Sequence, residues 1–158
     1  MSPESVLLRR LPDLVIEPLV GVGGIKFGFH LSQVIALLGD PERVIRGKRL
    51  LYSRSALQVH LDDSEHVHFV EIGASDSLRP ILDGIAVLDV SAQRAIDALA
   101  FHGAVNRAHP EFPRLCIVPE AELSLWRSTL PAEDPRGERF ESVGAGRAGY
   151  FSMHQAVK

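Results

Sequence analysis

The stretch from Ile25 to Pro41, I-K-F-G-F-H-L-S-Q-V-I-A-L-L-G-D-P, leaves the chain few choices of local structure. Ile25 and Phe27 begin a short apolar strand that Gly28 interrupts. Leu31, Val34, Ile35 and Leu38 then fall at i, i+3, i+4 and i+7, which is one face of a 3.6-residue helix. Gly39 can turn left-handed at the end of that helix at little cost, and Pro41 prevents its continuation. At the start either His30 or Ser32 must serve as N-cap, and of the two only serine is a favoured type.

A weaker copy follows. Gly84-Ile85 answers Gly24-Ile25, Val87 answers Phe27, and Ala92, Ala95, Ile96 and Leu99 repeat the four helix positions at a constant offset. Ser91 or Asp89 would cap this second helix and Gly103 would end it. One element order met twice is the mark of internal duplication. The expected fold is α+β, with two tandem related halves, each one helix packed on an antiparallel β-sheet. Residues 1–22 read as an N-terminal arm or edge strand, because Leu14–Ile16 is bounded by Pro12 and Pro18. Residues 23–73 form the first repeat, 74–82 a polar linker closed by proline, and 83–158 the second repeat.

From Leu50 the period changes to two, predicting strands at 50–52, 56–62 and 66–72. A three-residue loop, Asp63-Ser64-Glu65, places Asp62 opposite His66 and His60 opposite His68. Leu61, Val67, Val59 and Phe69 then share the buried side, and a one-residue slip would exchange the faces. In the second half, strands are predicted at 115–118, 122–127, 139–143 and 149–153, with the polar excursion 130–138 between them.

Composition narrows the function. Lys and Arg number 17 against 20 Asp and Glu, a net charge of −3. The densest basic stretch, Arg43, Arg46, Lys48 and Arg49, is too short and mixed to track a phosphate backbone, so nucleic acid is not expected. A single cysteine, Cys116, excludes an internal disulfide framework and fits a reducing compartment. No run reaches the roughly 18 apolar residues of a membrane span. Arg9, Arg10, Asp13 and Glu17 interrupt any signal-peptide core. A cytoplasmic protein with no membrane contact is expected.

The pattern I25-x-x-G28-x-x-x-x-Q33-V34-x-x-x-L38-G39-x-P41, followed by a strand carrying Tyr52, resembles the outer-membrane assembly lipoproteins of the BamE (SmpA/OmlA) type. The tandem arrangement is similar to that of the β-lactamase inhibitory protein family. The resemblance covers residues 24–72 well and 83–153 loosely. It implies a helix-plus-sheet fold and protein binding through a sheet surface. The chain departs from it by lacking a lipoprotein signal with its cysteine, by carrying His30 where a capping Thr stands, and by having too few cysteines for the inhibitor's disulfides.

Two groups of residues carry candidate chemistry. His60, Asp62, His66 and His68 share the outer face in the register above; such a set could hold zinc. It is equally a solvated polar face, or a recognition surface in which Asp63 and Glu65 join it as a partly acidic patch. Trp126 points outward if Leu123 and Leu125 point inward, and is core if the strand is covered on both sides. Tyr150 is the more exposed of the pair Tyr150-Phe151, since its hydroxyl can stay wet. Cys116 lies in an apolar strand, Ser32 and Ser91 look like caps, and Gly21-Val-Gly-Gly24 lacks the Lys-Ser/Thr of a phosphate loop.

The expectation is therefore a non-enzymatic, cofactor-free binding module. Its most concrete form is an immunity protein that blocks a toxin sterically and electrostatically. The partner would be another protein, such as a basic toxin domain, met through His60, Asp62, Asp63, Glu65, His66, His68, Trp126 and Tyr150. The alternatives are a metal-binding protein or metal-dependent enzyme on the His60/Asp62/His66/His68 face, and a homodimeric scaffold.

Overall fold

The computed structural model describes residues 13–155; the reading of residues 1–12 as an arm without a signal core lies outside them. Short strands open the described chain: β1 (Asp13–Glu17), β2 (Gly21–Val22) and β3 (Ile25–Lys26). Helix α1 (Leu31–Leu38) follows, then the meander β4 (Arg43–Ile45), β5 (Arg49–Tyr52), β6 (Leu57–Leu61) and β7 (Val67–Gly73). The chain continues through β8 (Arg79–Leu82), β9 (Ile85–Ala86) and helix α2 (Ala92–Ala100). It ends with β10 (Leu115–Val118), β11 (Leu123–Trp126), β12 (Ser142–Gly146) and helix α3 (Tyr150–Gln155).

The fold is mixed α+β. The larger sheet has seven strands in the order β10-β11-β12-β7-β6-β5-β4, every neighbour antiparallel. The smaller has five, in the order β3-β2-β1-β8-β9, with β1 parallel to β8. Two strand assignments from sequence change here. Leu14–Ile16 is the centre of its sheet rather than an edge, paired with β2 on one side and β8 on the other, and Pro18 falls outside the ladder. Residues 79–82, in the stretch expected as linker, form the strand that pairs with it.

The two-residue alternation decides which face of the large sheet is core. Tyr52, Leu57, Val59, Val70, Leu123 and Leu125 are at or near full burial. Against them pack Val34 and Leu38 of α1 and Ala95 and Leu99 of α2, all but inaccessible, while Ile35 and Ile96 are only partly covered. Each leucine so buried contributes about 1.5–3 kcal/mol. Helix α2 lies over β10 and β11, and β2 of the small sheet reaches β12.

Helix α1 is closed at both ends by side chains. His30, not Ser32, is the N-cap: Ser32 N donates to His30 Nδ1 at 3.1 Å, and His30 N donates to Gln33 Oε1 at 2.8 Å. This is a capping box with an imidazole in the place of a hydroxyl. At the other end the Tyr52 hydroxyl donates to the Gly39 carbonyl at 2.9 Å. His30→Ala should cost about 1 kcal/mol in a denaturant titration, and His30→Ser should recover most of it. An unchanged midpoint in His30→Ala would show that the imidazole caps nothing. Ser91 caps α2, accepting from Arg94 N at 3.3 Å.

Candidate functional site

The site begins with an irregularity in β7. Asp62 pairs with His66 across the three-residue turn, as the spacing predicts: Asp62 N donates to His66 O at 2.8 Å. Beyond that the register differs from the expected one. His60 lies opposite Phe69 and Leu61 opposite Val67, with His68 as the extra residue of a β-bulge. Val67, Val70 and Ile72 face the core, and Phe69 joins His60 on the outer face. The reason is volume. Outside, Phe69 finds a bed made by two glycines, and the bulge carbonyl of His68 accepts from Arg147 N at 3.1 Å.

Those glycines alternate along β12, where Val143 and Ala145 point inward and Gly144 and Gly146 outward. A Cβ at Gly144 would stand 2.3 Å from Phe69 Cζ and 2.7 Å from Ser124 Oγ; one at Gly146 would stand 2.8 Å from Tyr150 Cβ. Without side chains there, the Phe69 ring lies across the sheet and Tyr150 stacks on it, centroids 4.3 Å apart and planes 12° from parallel. The His68 ring meets Tyr150 edge-on at 5.1 Å.

Tyr150 belongs to a helix, α3, where a strand over 149–153 is the sequence expectation. The cause is Glu122, 5% exposed and held at φ 53° in the left-handed region. Its carboxylate accepts from Gly149 N at 3.0 Å and Phe151 N at 2.8 Å, so it turns the chain into a helix and fastens that helix to β11.

Between α3 and the β4–β5 turn lies an open cleft of about 560 Å³. The turn supplies Arg46 and Lys48, β5 supplies Arg49, and β6 with its hairpin supplies His60, Asp62 and Asp63. The bulge adds His68, the end of β12 adds Arg147, and α3 adds Tyr150. Both carboxylates are engaged, Asp62 by Arg147 Nη2 at 3.0 Å and Asp63 by Lys48. The His66 N–H, donating to Asp62 at 2.9 Å, is the largest influence holding that carboxyl below its ordinary range, and Ser64 N–H and Arg147 add to it against the opposing effect of burial. Burial, with Glu71 adding, pushes the Tyr150 phenol up to about 12.

Glu71 lies behind Arg49 on the same face, and burial raises its pKa while the Ser142 hydroxyl and Arg49 oppose the rise. Below the ordinary glutamate value both folded and unfolded chains are protonated, so Glu71 adds nothing to the pH dependence. Above it the unfolded chain ionises first, and folding loses stability until the raised folded value is passed. Glu71→Gln should therefore stabilise the protein at neutral pH and flatten the fall in stability above about pH 4.5. A variant no more stable than the parent at pH 7 would contradict this.

The structure thus brings together five of the residues singled out in sequence: His60, Asp62, Asp63, His68 and Tyr150. Glu65 and His66 sit instead at the hairpin tip beside His30, with Glu65 Oε1 3.8 Å from His30 Nε2 and the His30 and His66 rings 5.4 Å apart. Trp126 is 40% exposed on the outer face, but opposite Ser142, four residues along β12 from Gly146. Among the described residues no three of His, Cys, Asp and Glu converge closely enough to hold a metal ion. Cys116 is buried, which raises its thiol pKa. Sequence reasoning passed over Arg147, Gly144 and Gly146; the signal was the alternation V-G-A-G, small residues on one face of an otherwise apolar strand.

No protein-family model and no solved structure matches the chain. Among curated proteins it is similar to the pyridinium-3,5-bisthiocarboxylic acid mononucleotide nickel insertion protein of Staphylococcus epidermidis. The identity is 30% over 93 residues, covering 53% of this chain and 24% of that protein. The chain spans about a quarter of the length of the curated relative it matches.

Proposed function

We propose that this chain is a cytoplasmic binding protein that neutralises a protein partner by covering it, as an immunity protein does, with the outer face of the seven-stranded sheet. The observation that carries this reading is the open cleft at His60, His68 and Tyr150, where an aromatic wall adjoins charged groups already fixed in place by ion pairs. Rigid aromatics beside a charged rim suit an interface, since little side-chain freedom is left to lose on association. Trp126 gives the same face a second anchor. The location fits a chain in which, among the described residues, no helix is long and apolar enough to cross a membrane.

The same proposal includes the ancestry. The β2–β3 and β8–β9 hairpins each lead into a helix whose matching positions, Val34 and Leu38 or Ala95 and Leu99, are buried. Each helix leads into a meander, and the last strands of the two meanders, β7 and β12, lie side by side. A doubled unit of one helix and one antiparallel sheet accounts for this order, with the two sheets merged at that seam.

Affinity capture from the native host, with a photo-crosslinking residue at position 45 in the cleft or at position 93 on α2, tests the function. One dominant protein, crosslinked from position 45 and not from 93, is the expected result. Absence of any dominant partner, or crosslinking from 93 alone, would overturn it. The nickel-insertion relative favours a second reading, metal handling, for which elemental analysis after nickel loading is the test. A stoichiometric ion would support that reading and traces would remove it.

A further inference from the structure

We infer that the group the cleft receives is anionic: a segment of the partner carrying clustered Asp or Glu side chains. This rests on the protein-binding reading above and gives it a sign opposite to the basic partner suggested by the sequence. Four cationic side chains, Arg46, Lys48, Arg49 and Arg147, border the cleft against two carboxylates, in a chain whose net charge is −3. The charges are therefore segregated, with the positive surplus gathered at one depression.

The carboxylates are also unavailable to a visitor. Asp62 holds Arg147 and two backbone N–H groups, and Asp63 holds Lys48. The surplus rests on Arg46 and Arg49. Arg46 makes no ion pair among the described residues and is held at φ 53° in a turn closed by Lys48 N donating to Ile45 O at 3.0 Å. Arg49 makes a long contact, 3.4 Å, with the Gln58 side-chain amide oxygen, and its charge also acts on Glu71 behind it, whose carboxylate takes the Ser142 hydroxyl and makes no ion pair among the described residues. A guanidinium at the cleft edge without a carboxylate paired to it among the described residues is a fork open to one. Tyr150, backed by the stacked Phe69 ring, gives the cleft one apolar side, which strengthens such a contact.

Calorimetric titration of the full chain with a hexaglutamate peptide, a hexalysine peptide and inorganic pyrophosphate tests the inference. Hexaglutamate should bind, hexalysine should not, and added salt should weaken the binding. Arg46→Glu and Arg49→Gln should each weaken it about tenfold, with the far-ultraviolet dichroism of both variants unchanged. Equal binding of the two peptides, or variants that bind as the parent does, would overturn it. Pyrophosphate binding that displaces hexaglutamate at lower concentration would also overturn it, by making the cleft a phosphate site. A captured protein partner indifferent to both substitutions would leave the protein-binding reading standing and sink the sign. Hexaglutamate binding with no captured partner would do the reverse.

Discussion

Replacing Arg127 with methionine should cost about 2–4 kcal/mol of stability, although the residue makes no ion pair among those the structure describes and lies at the end of a strand. Its side chain is 6% exposed. Nη1 donates to the Gly137 carbonyl at 2.9 Å, and Nε and Nη2 donate to the Pro113 carbonyl at 3.3 and 3.2 Å. The guanidinium lies over the Phe140 ring, 4.6 Å from its centroid. One planar cation thus ties two loops, the approach to β10 and the 3-10 turn at Pro135–Glu138, to the sheet. Methionine keeps most of the volume but leaves the Gly137 carbonyl without its donor and the Pro113 carbonyl with only the weak Cys116 thiol at 3.6 Å, at about 1–3 kcal/mol for each, partly offset by no longer burying a charge. Lysine keeps the charge but lacks the fork, so Arg127→Lys should fall between the two. The second signature is protease sensitivity within 128–141. A methionine variant within about 0.5 kcal/mol of the parent would show that the loops are held by something else.

What was legible in the sequence was what depends on near neighbours. The helical period of Leu31, Val34 and Leu38 needs only eight residues to be seen, and so does the alternation Leu57, Val59, Leu61. The hairpin turn at Asp62–His66 was legible for the same reason. The bulge was not, because the extra residue is His68, and what makes room for Phe69 on the outer face, the glycines of β12, lies more than seventy residues away in the chain. The pairing of β1 with β8 joins residues 66 apart, as the Asp13–Arg79 ion pair shows, and no local period records that. The cleft is harder still. Its residues come from 45–49, 60–63, 68 and 147–150, and only the β7–β12 seam puts the last group beside the others. Arg46, Lys48 and Arg49 were visible as a basic stretch, yet their meaning depends on Arg147 taking Asp62 and Lys48 taking Asp63, which leaves Arg46 and Arg49 over.

Glu122→Ala should release α3 and with it one wall of the cleft. In sequence Glu122 is the first residue of a predicted strand; in the fold it is a buried carboxylate receiving two backbone N–H groups from a segment 27 and 29 residues away. Hydrogen bonds to a charged acceptor contribute about 1.5–3 kcal/mol each, and here both act on a helix of six residues, too short to persist alone. The loss is therefore expected to appear first as local unfolding of 149–155, before any large change in the global midpoint. Amide exchange at Gly149 and Phe151 should accelerate. The Tyr150 phenol, pushed up to about 12 while it is stacked on Phe69, should titrate closer to 10 once exposed. Phe69 would lose its cover on the outer face, and the cleft would lose the low-dielectric side that strengthens its cations. Hexaglutamate binding should fall although no cationic residue has changed. Glu122→Gln keeps one acceptor oxygen and should behave as an intermediate. If Glu122→Ala leaves the Tyr150 titration where it was, the helix is anchored by its aromatic rings alone and the carboxylate is incidental.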